Sequence, residues 1–215
     1  MRAPWGEKVM PEAELDLINS ALDRALRITG QELGNVQLVN WEMGLLEIAA
    51  QRGFRQEFLD SFRHVSTRDG CACGRALLLR DTVVIDDVTT DRDFSPFKEI
   101  AERAGFRAVQ STPLMSSGGA IVGVISTHGD CIPSGRQLEQ IKSLAQETAN
   151  ALIWLRARGA LKLAFAAERK SISNARILLQ GESPNTFLGD LHHDLISTQE
   201  PGTPPRLRAK GAASR

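Results

Sequence analysis

Apolar residues recur at intervals of three and four along two long stretches of the chain, which is the spacing of an amphipathic helix. The first stretch covers residues 11–27, where acidic residues come early, basic residues come late and Gly30 follows as a stop signal. The second begins at Ser134, which forms a capping-box pattern with Gln137, and it keeps its spacing to Leu155. Both stretches are predicted to be helices that bury one face.

The chain between these helices alternates short strand-like and helix-like patterns. Residues 35–39 and 45–51 predict one hairpin, and residues 106–115 and 120–128 predict a second. Residues 82–85 form a β-branched run without polar alternation, which is typical of a central strand. Shorter helices are predicted over residues 55–62, 73–79 and 97–104. This order predicts an α+β fold with one largely antiparallel central sheet and flanking helices.

The charges of the chain balance, with 26 basic and 26 acidic residues and a net charge of zero. No overall field attracts nucleic acid or an anionic membrane, so neither is an expected partner. No apolar run approaches the ~18 residues of a membrane span, and the first residues lack a signal-peptide pattern, so we predict a cytoplasmic protein. The three cysteines cannot all pair, and in a reducing compartment they are expected to remain thiols.

Composition divides the chain into four parts. Residues 1–10 are expected to be a flexible N-terminus, residues 11–158 the folded domain and residues 159–180 a helical linker. Residues 181–215 are rich in Gly, Ser, Pro and Thr and end in a basic run without acids, which predicts a mostly disordered tail.

Five segments in this order carry a family resemblance: GNVQLVN from Gly34, LLEIAAQRGF from Leu45, ACGRAL from Ala72, VVIDDVTTDRDF from Val83 and GFRAVQSTPLMSSGGAIVGVISTH from Gly105. With the terminal helix they resemble a GAF domain, the small-molecule sensor module of bacterial signalling proteins, and in particular the subgroup of sensor histidine kinases. The resemblance implies a central antiparallel sheet with helices on one face and a ligand pocket between the sheet and overlying loops. It also implies a homodimer that pairs through the first and last helices.

Carried over by position, the resemblance places the pocket walls in residues 71–76, in the loop 86–94 and in inward residues of the strands 107–112 and 124–128. The ligand-binding residues that it implies are Cys71, Cys73, Asp87, Phe94, Arg107, Gln110, Thr112 and His128. Strand alternation puts Gln110 and Thr112 on one face and Arg107 on the other, and either face could form the pocket. Acidic residues such as Asp87 also commonly cap turns in solvated loops.

The C-x-C pair, Cys71 and Cys73, allows several kinds of chemistry. If residues 70–74 open a helix, its dipole favours thiolate and therefore redox sensing, but packing as small apolar residues is the commoner role and the one we prefer. With His128 and Cys131 the pair could form a zinc site, although C-x-C is a less usual spacing for zinc than C-x-x-C. One branch of the GAF family reduces free methionine sulfoxide, but the loop 86–97 lacks the partner thiol. We therefore predict no metal, no cofactor and no enzymatic activity.

A second resemblance lies near the end of the chain, where FLGDLHHDLIS from Phe187 is similar to the phosphoacceptor box of histidine kinases. His193 would be the phosphoacceptor. However, Thr198 stands where the box has proline, and Pro184 would disturb the helix that the box requires. These departures make the box degenerate. Since no ATP-binding domain follows it, the chain is expected to be a sensor part without the catalytic part of a kinase.

These observations predict a small-molecule-sensing module of signal transduction, with a kinase or a response regulator as a candidate partner. Two alternatives remain open. One is a thiol-based redox sensor or a methionine-sulfoxide-reductase-like enzyme that uses Cys71 and Cys73, and the other is a dimerisation scaffold without a ligand.

Overall fold

The structure, a computed structural model, describes residues 10–180, with side chains as far as Asn174. It divides into two compact units, the first ending at Gly159 and the second beginning at Ala160. Within residues 10–180, none of the helices combines the length and the hydrophobicity of a membrane-spanning segment. The predicted tail, with its box around His193, and all but the last residue of the predicted N-terminal arm lie outside the described residues.

The elements of residues 10–180 follow the predicted order, with the addition of the two-residue strand His64–Val65, which was not predicted. They are α1 Glu12–Thr29, β1 Leu33–Asn40, β2 Leu45–Arg52, α2 Gln56–Ser61, β3 His64–Val65, α3 Ala72–Leu79, β4 Val83–Ile85, a 3-10 turn Ser95–Phe97, α4 Lys98–Ala104, β5 Ala108–Met115, β6 Ile121–Gly129 and α5 Gly135–Gln180.

Six strands form one sheet in the order β3-β2-β1-β6-β5-β4, and every neighbouring pair is antiparallel. Both predicted hairpins, β1–β2 and β5–β6, are confirmed. The prediction of a central strand at residues 82–85 is wrong, because β4 lies at an edge of the sheet. Val83 and Ile85 are buried and Val84 is half-buried, so a covered edge strand shows the same apolar run as a central one.

Helices cover both faces of the sheet, which corrects the expectation of helices on one face. On one face α1 and α5 pack against apolar strand residues such as Val36 and Ile125. On the other face α2, α3 and α4 pack against Leu46, Val109 and Val124. Because both faces are covered, β5 and β6 are buried along nearly their whole length.

Polar contacts at the start of α5 join it to α1. The Ser134 N–H donates to Gln137 Oε1 at 2.8 Å, and the Gln137 N–H donates to the Ser134 hydroxyl at 3.4 Å, which confirms the predicted capping box. Gln137 Nε2 also donates to the Ile28 carbonyl oxygen at 2.7 Å. α1 stops at Gly30, whose φ of 70° lies in the left-handed region that glycine tolerates. These contacts hold α1 and the first turns of α5 together in one layer on the same face of the sheet.

Candidate functional site

A row of polar side chains crosses the middle of the sheet on the face covered by α2, α3 and α4. Asn35 of β1 is paired with Ser126 of β6, and Ser126 is paired in turn with Ser111 of β5. His128 lies two residues after Ser126 on the same strand and therefore on the same face. All four side chains are buried, although such residues are mostly exposed or intermediate in proteins. We call these four residues the polar row.

The polar row lines a small cavity between the sheet and the elements that cover it. The cavity has a volume of about 10 Å³, which is room for one water molecule. The other lining residues are Phe58, Phe62, Cys71, Ala72, Cys73, Phe94 and Val109. Apart from the polar row and the two thiols, the walls are therefore apolar and largely aromatic, and no carboxylate, ammonium or guanidinium group of residues 10–180 lines the cavity.

Two atoms of the polar row, Asn35 Oδ1 and His128 Nδ1, have no hydrogen-bond partner within the described part of the chain. The hydroxyl oxygens of Ser111 and Ser126, in contrast, lie 2.7 Å apart and pair with each other. Leaving a buried polar atom unpaired costs roughly 1–3 kcal/mol, so nearly all such atoms in folded proteins are paired. Two unpaired atoms in the lining of one cavity make this cavity the candidate binding site.

Burial keeps the imidazole of His128 neutral. Desolvation lowers its pKa from 6.5 to about 3, against the smaller opposing effect of a hydrogen bond to the Leu33 backbone. The rings of Phe54, Phe58 and Phe106 surround it, with centroids 4.7–5.8 Å from that of the imidazole. Nδ1 has no hydrogen-bond partner among the described residues. In the neutral imidazole this nitrogen can present a lone pair that accepts a hydrogen bond.

The turn before α3 brings two thiols to the cavity wall. Cys71 precedes the helix in an extended conformation and Cys73 is the second helical residue, with their sulfur atoms 3.4 Å apart. The hydrogen bond from the Cys73 thiol lowers the pKa of Cys71, and the same contact together with burial raises the pKa of Cys73. Gly74 allows this close packing, because a Cβ there would lie 2.4 Å from the Ser66 carbonyl oxygen.

The loop between β4 and α4 covers the cavity with the side chain of Phe94. Asp91 accepts a hydrogen bond from Arg75 of α3 at 2.9 Å and another from the Phe94 N–H at 2.9 Å. Partial burial opposes the ionisation of Asp91, but these two bonds outweigh it and lower the pKa of the carboxyl group. One carboxylate thus joins α3 to the backbone of Phe94, and we call the Arg75–Asp91 ion pair the latch.

The sheet, the cavity and the latch all lie in a region that matches a known protein family. Residues 12–153 match the model of the GAF domain family. The chain belongs to this family. The resemblance on which the pocket residues were predicted is therefore confirmed at the level of the family.

Solved structures share this GAF fold at low sequence identity. A domain assigned to a two-component sensor histidine kinase of Sinorhizobium meliloti 1021 is 16% identical, with a TM-score of 0.57 over 72% of this chain and 99% of that chain. The second GAF domain of DevS from Mycobacterium smegmatis is 18% identical, with a TM-score of 0.53 over 69% and 99%. A type II free methionine-R-sulfoxide reductase from Thermoplasma acidophilum is 17% identical, with a TM-score of 0.54 over 66% and 93%. These identities show the fold alone, and no curated protein matches the chain.

Half of the predicted ligand residues line the cavity of this GAF domain. They are Cys71, Cys73, Phe94 and His128, and ligand contact by them stays a prediction. Cys131, the fourth member of the zinc set considered above, is exposed and does not line the cavity. Within residues 10–180 no three His, Cys, Asp or Glu side chains are placed to hold a metal ion.

Asp87 and Arg107 form an ion pair outside the cavity. Arg107 Nε donates to Asp87 Oδ2 at 3.1 Å, and the Thr89 N–H donates to Oδ1 of the same carboxylate at 2.9 Å. Hydrogen bonds from Arg107 and Thr89 hold the pKa of Asp87 far below its usual range, and the contact with Asp87 raises the pKa of Arg107. The pair connects the loop after β4 to the start of β5, and neither side chain lines the cavity.

Gln110 and Thr112 lie on the opposite face of β5 from the cavity, and the structure does not bring them to the site. Gln110 Nε2 donates to the Thr127 hydroxyl at 3.3 Å, and the Thr112 hydroxyl donates to Gln110 Oε1 at 2.9 Å. The Thr112 oxygen also lies 2.9 Å from the hydroxyl of Thr82. These groups pair with one another, so their polarity is explained without a ligand. Ser111, between the two predicted residues, is the one that reaches the cavity.

Reasoning from the sequence did not single out three cavity residues, Asn35, Ser111 and Ser126, although the last two lie in strands predicted to form pocket walls. The sequence holds a signal for two of them. If His128 faces the pocket, Ser126 two residues earlier also does, and the hairpin register then selects Ser111. Asn35 belongs to the other hairpin, so only the pairing of β1 with β6 reveals it.

Proposed function

We propose that this GAF domain senses a small uncharged molecule bound on the polar row, and that it serves as an input module in bacterial signal transduction. The observation that carries the proposal is the presence of two buried, unpartnered acceptors, Asn35 Oδ1 and His128 Nδ1, in the lining of one cavity. The solved structure assigned to a two-component sensor histidine kinase supports the signalling role.

The chemistry of the cavity limits the charge of the ligand. A charged molecule would lose its hydration there without meeting a counter-charge, which is costly in an apolar interior. The two acceptors require N–H or O–H donors on the ligand. The paired hydroxyls of Ser111 and Ser126 retain one O–H donor and several acceptor lone pairs. The surrounding phenylalanine rings favour a flat, partly apolar body. A neutral heterocycle with hydrogen-bond donors has all these properties.

Binding of a ligand larger than water requires the cover of the cavity to move. The latch is a partly buried ion pair, with side chains 27% and 21% exposed, so opening it costs more than the ~0–1 kcal/mol of a surface pair and less than the ~3–5 kcal/mol of a fully buried one. Separation of Arg75 from Asp91 would free the backbone of Phe94, and ligand binding has to supply this cost. The resulting shift of the loop relative to α3 is the proposed signal, and its size is limited by the difference in ligand affinity between the open and closed states.

The homodimer through α1 and α5 and a downstream kinase or response regulator belong to the same proposal. Trp154 is a large aromatic side chain that is exposed on α5, as expected of a residue that contacts the second chain of such a dimer. Sedimentation velocity of the full chain should show a dimer, and a monomer at micromolar concentration would remove this part of the proposal without affecting the ligand site.

Differential scanning fluorimetry of the full chain tests ligand sensing. Neutral compounds, such as purine bases, are compared with ionised counterparts, such as nucleoside monophosphates. We expect stabilisation by members of the neutral set only, and its loss in the Ser111→Ala/Ser126→Ala double variant. Removal of both hydroxyls leaves neither one unpaired, so the free energy of unfolding should change little.

Thr112→Val is the matched control, because this residue is adjacent to Ser111 but lies on the opposite face of the sheet. It should retain the ligand response. Stabilisation of the double variant equal to that of the wild type would contradict the cavity as the site. A dimer that no compound stabilises would favour the scaffold alternative.

A further inference from the structure

The two thiols of the cavity wall lie close enough together to be joined in a disulfide when they are oxidised. The sulfur atoms of Cys71 and Cys73 lie 3.4 Å apart, and both residues are buried. A disulfide has a sulfur–sulfur bond of about 2.0 Å, so the two atoms need to approach each other by about 1.4 Å. Cys71 precedes α3 and Cys73 lies in its first turn, where backbone N–H groups have no intrahelical acceptor. A small rotation of this turn therefore breaks few hydrogen bonds.

The contact between the thiols also makes them unequal. The hydrogen bond donated by Cys73 favours the thiolate form of Cys71 and disfavours that of Cys73. A thiolate is the nucleophilic form of cysteine, and a neighbouring protonated thiol can supply a proton to a leaving group. Cys71 therefore has the properties of an attacking thiol, and Cys73 those of a resolving thiol.

The rest of the cavity suits a very small uncharged oxidant. Its volume of about 10 Å³ admits a molecule similar in size to water. Hydrogen peroxide is small and uncharged and carries two O–H donors, which match the two unpaired acceptors Asn35 Oδ1 and His128 Nδ1. We propose that Cys71 and Cys73 form a hydroperoxide-reactive dithiol that closes to an intramolecular disulfide. This chemistry goes beyond ligand sensing and does not depend on it.

The reaction consumes one peroxide and releases two molecules of water. After Cys71 gives up its proton, its thiolate attacks one peroxide oxygen, the O–O bond breaks, and Cys71 becomes a sulfenic acid. The departing hydroxide takes the proton of Cys73 and leaves as water. The Cys73 thiolate then attacks the Cys71 sulfur, the S–S bond forms, and the second hydroxide takes up the proton that Cys71 gave up. Two thiols are oxidised and one peroxide is reduced.

Mass spectrometry of the reduced full chain tests the proposal directly. The chain is treated with equimolar hydrogen peroxide, quenched with N-ethylmaleimide and digested. We expect a peptide with an internal link between Cys71 and Cys73, formed at least tenfold faster than oxidation of Cys131, the exposed thiol of the same chain. The Cys131→Ser variant excludes cross-linking through the third cysteine and should form the link at the same rate.

Single variants separate the two roles. Cys73→Ser should stop at a sulfenic acid on Cys71 that dimedone labels, whereas Cys71→Ser should give no label on Cys73. Cys→Ala versions replace either variant if circular dichroism shows that it does not fold. Oxidation of Cys131 before the pair, disulfides only between chains, or equal dimedone labelling of the two single variants would each overturn the proposal.

Discussion

Acidification should destabilise this GAF domain through His128. The usual pKa of histidine is 6.5, whereas burial lowers the pKa of folded His128 to about 3. Between these two values the unfolded state binds more protons than the folded state, so the free energy of unfolding falls as the pH falls. Integration of this difference from pH 7 to pH 5 gives a loss of about 2 kcal/mol, and the loss continues to grow as the pH approaches the folded pKa.

Urea unfolding followed by far-UV circular dichroism measures this loss. Tryptophan fluorescence is a poorer probe, because Trp41 and Trp154 are exposed and report weakly on the core. His128→Gln is the matched variant, since glutamine retains hydrogen-bonding atoms but does not titrate. The loss between pH 7 and pH 5 should be smaller by about 2 kcal/mol in the variant, and subtraction of the two curves removes contributions from carboxylates elsewhere. Equal pH dependence in both proteins would refute the neutral, buried imidazole and therefore the acceptor at Nδ1.

Three further predictions concern packing and the latch. Gly74→Ala should lower the free energy of unfolding by about 1–3 kcal/mol in urea titrations, because the added Cβ would lie 2.4 Å from the Ser66 carbonyl oxygen. Leu152→Ala should cost about 2–5 kcal/mol in the same titrations because this side chain is fully buried, whereas replacement of the exposed Trp41 by alanine should change stability by less than about 0.5 kcal/mol. Asp91→Asn should weaken the latch and speed proteolysis of the loop after β4 several-fold, and an unchanged cleavage rate would contradict the latch.

Reasoning from the sequence predicts most of this fold where the signals are local. The capping box at Ser134, the stop at Gly30 and both hairpins are encoded by neighbouring residues, and the structure confirms them. The position of β4 in the sheet, in contrast, is not encoded by neighbouring residues. Val83 and Ile85 reveal that the strand is buried, but its place at the edge depends on pairings between strands that lie far apart in the chain.

The site could be predicted only in part, because tertiary packing decides which face of the sheet forms the pocket. Alternation along β5 leaves two choices, Ser111 or the pair Gln110 and Thr112, and all three residues are polar. The choice is made by the layer that covers each face: α1 and α5 on one side, and the thiol turn with the Phe94 loop on the other. Asn35 joins the site only through the pairing of β1 with β6.

Native mass spectrometry of the full chain, purified gently from its own cells, tests the central claim most directly. The account predicts an uncharged small molecule bound at one per chain in the wild type, and its loss in the Ser111→Ala/Ser126→Ala variant while Thr112→Val retains it. An adduct that is anionic, or one that persists unchanged in the double variant, would contradict a ligand site on the polar row.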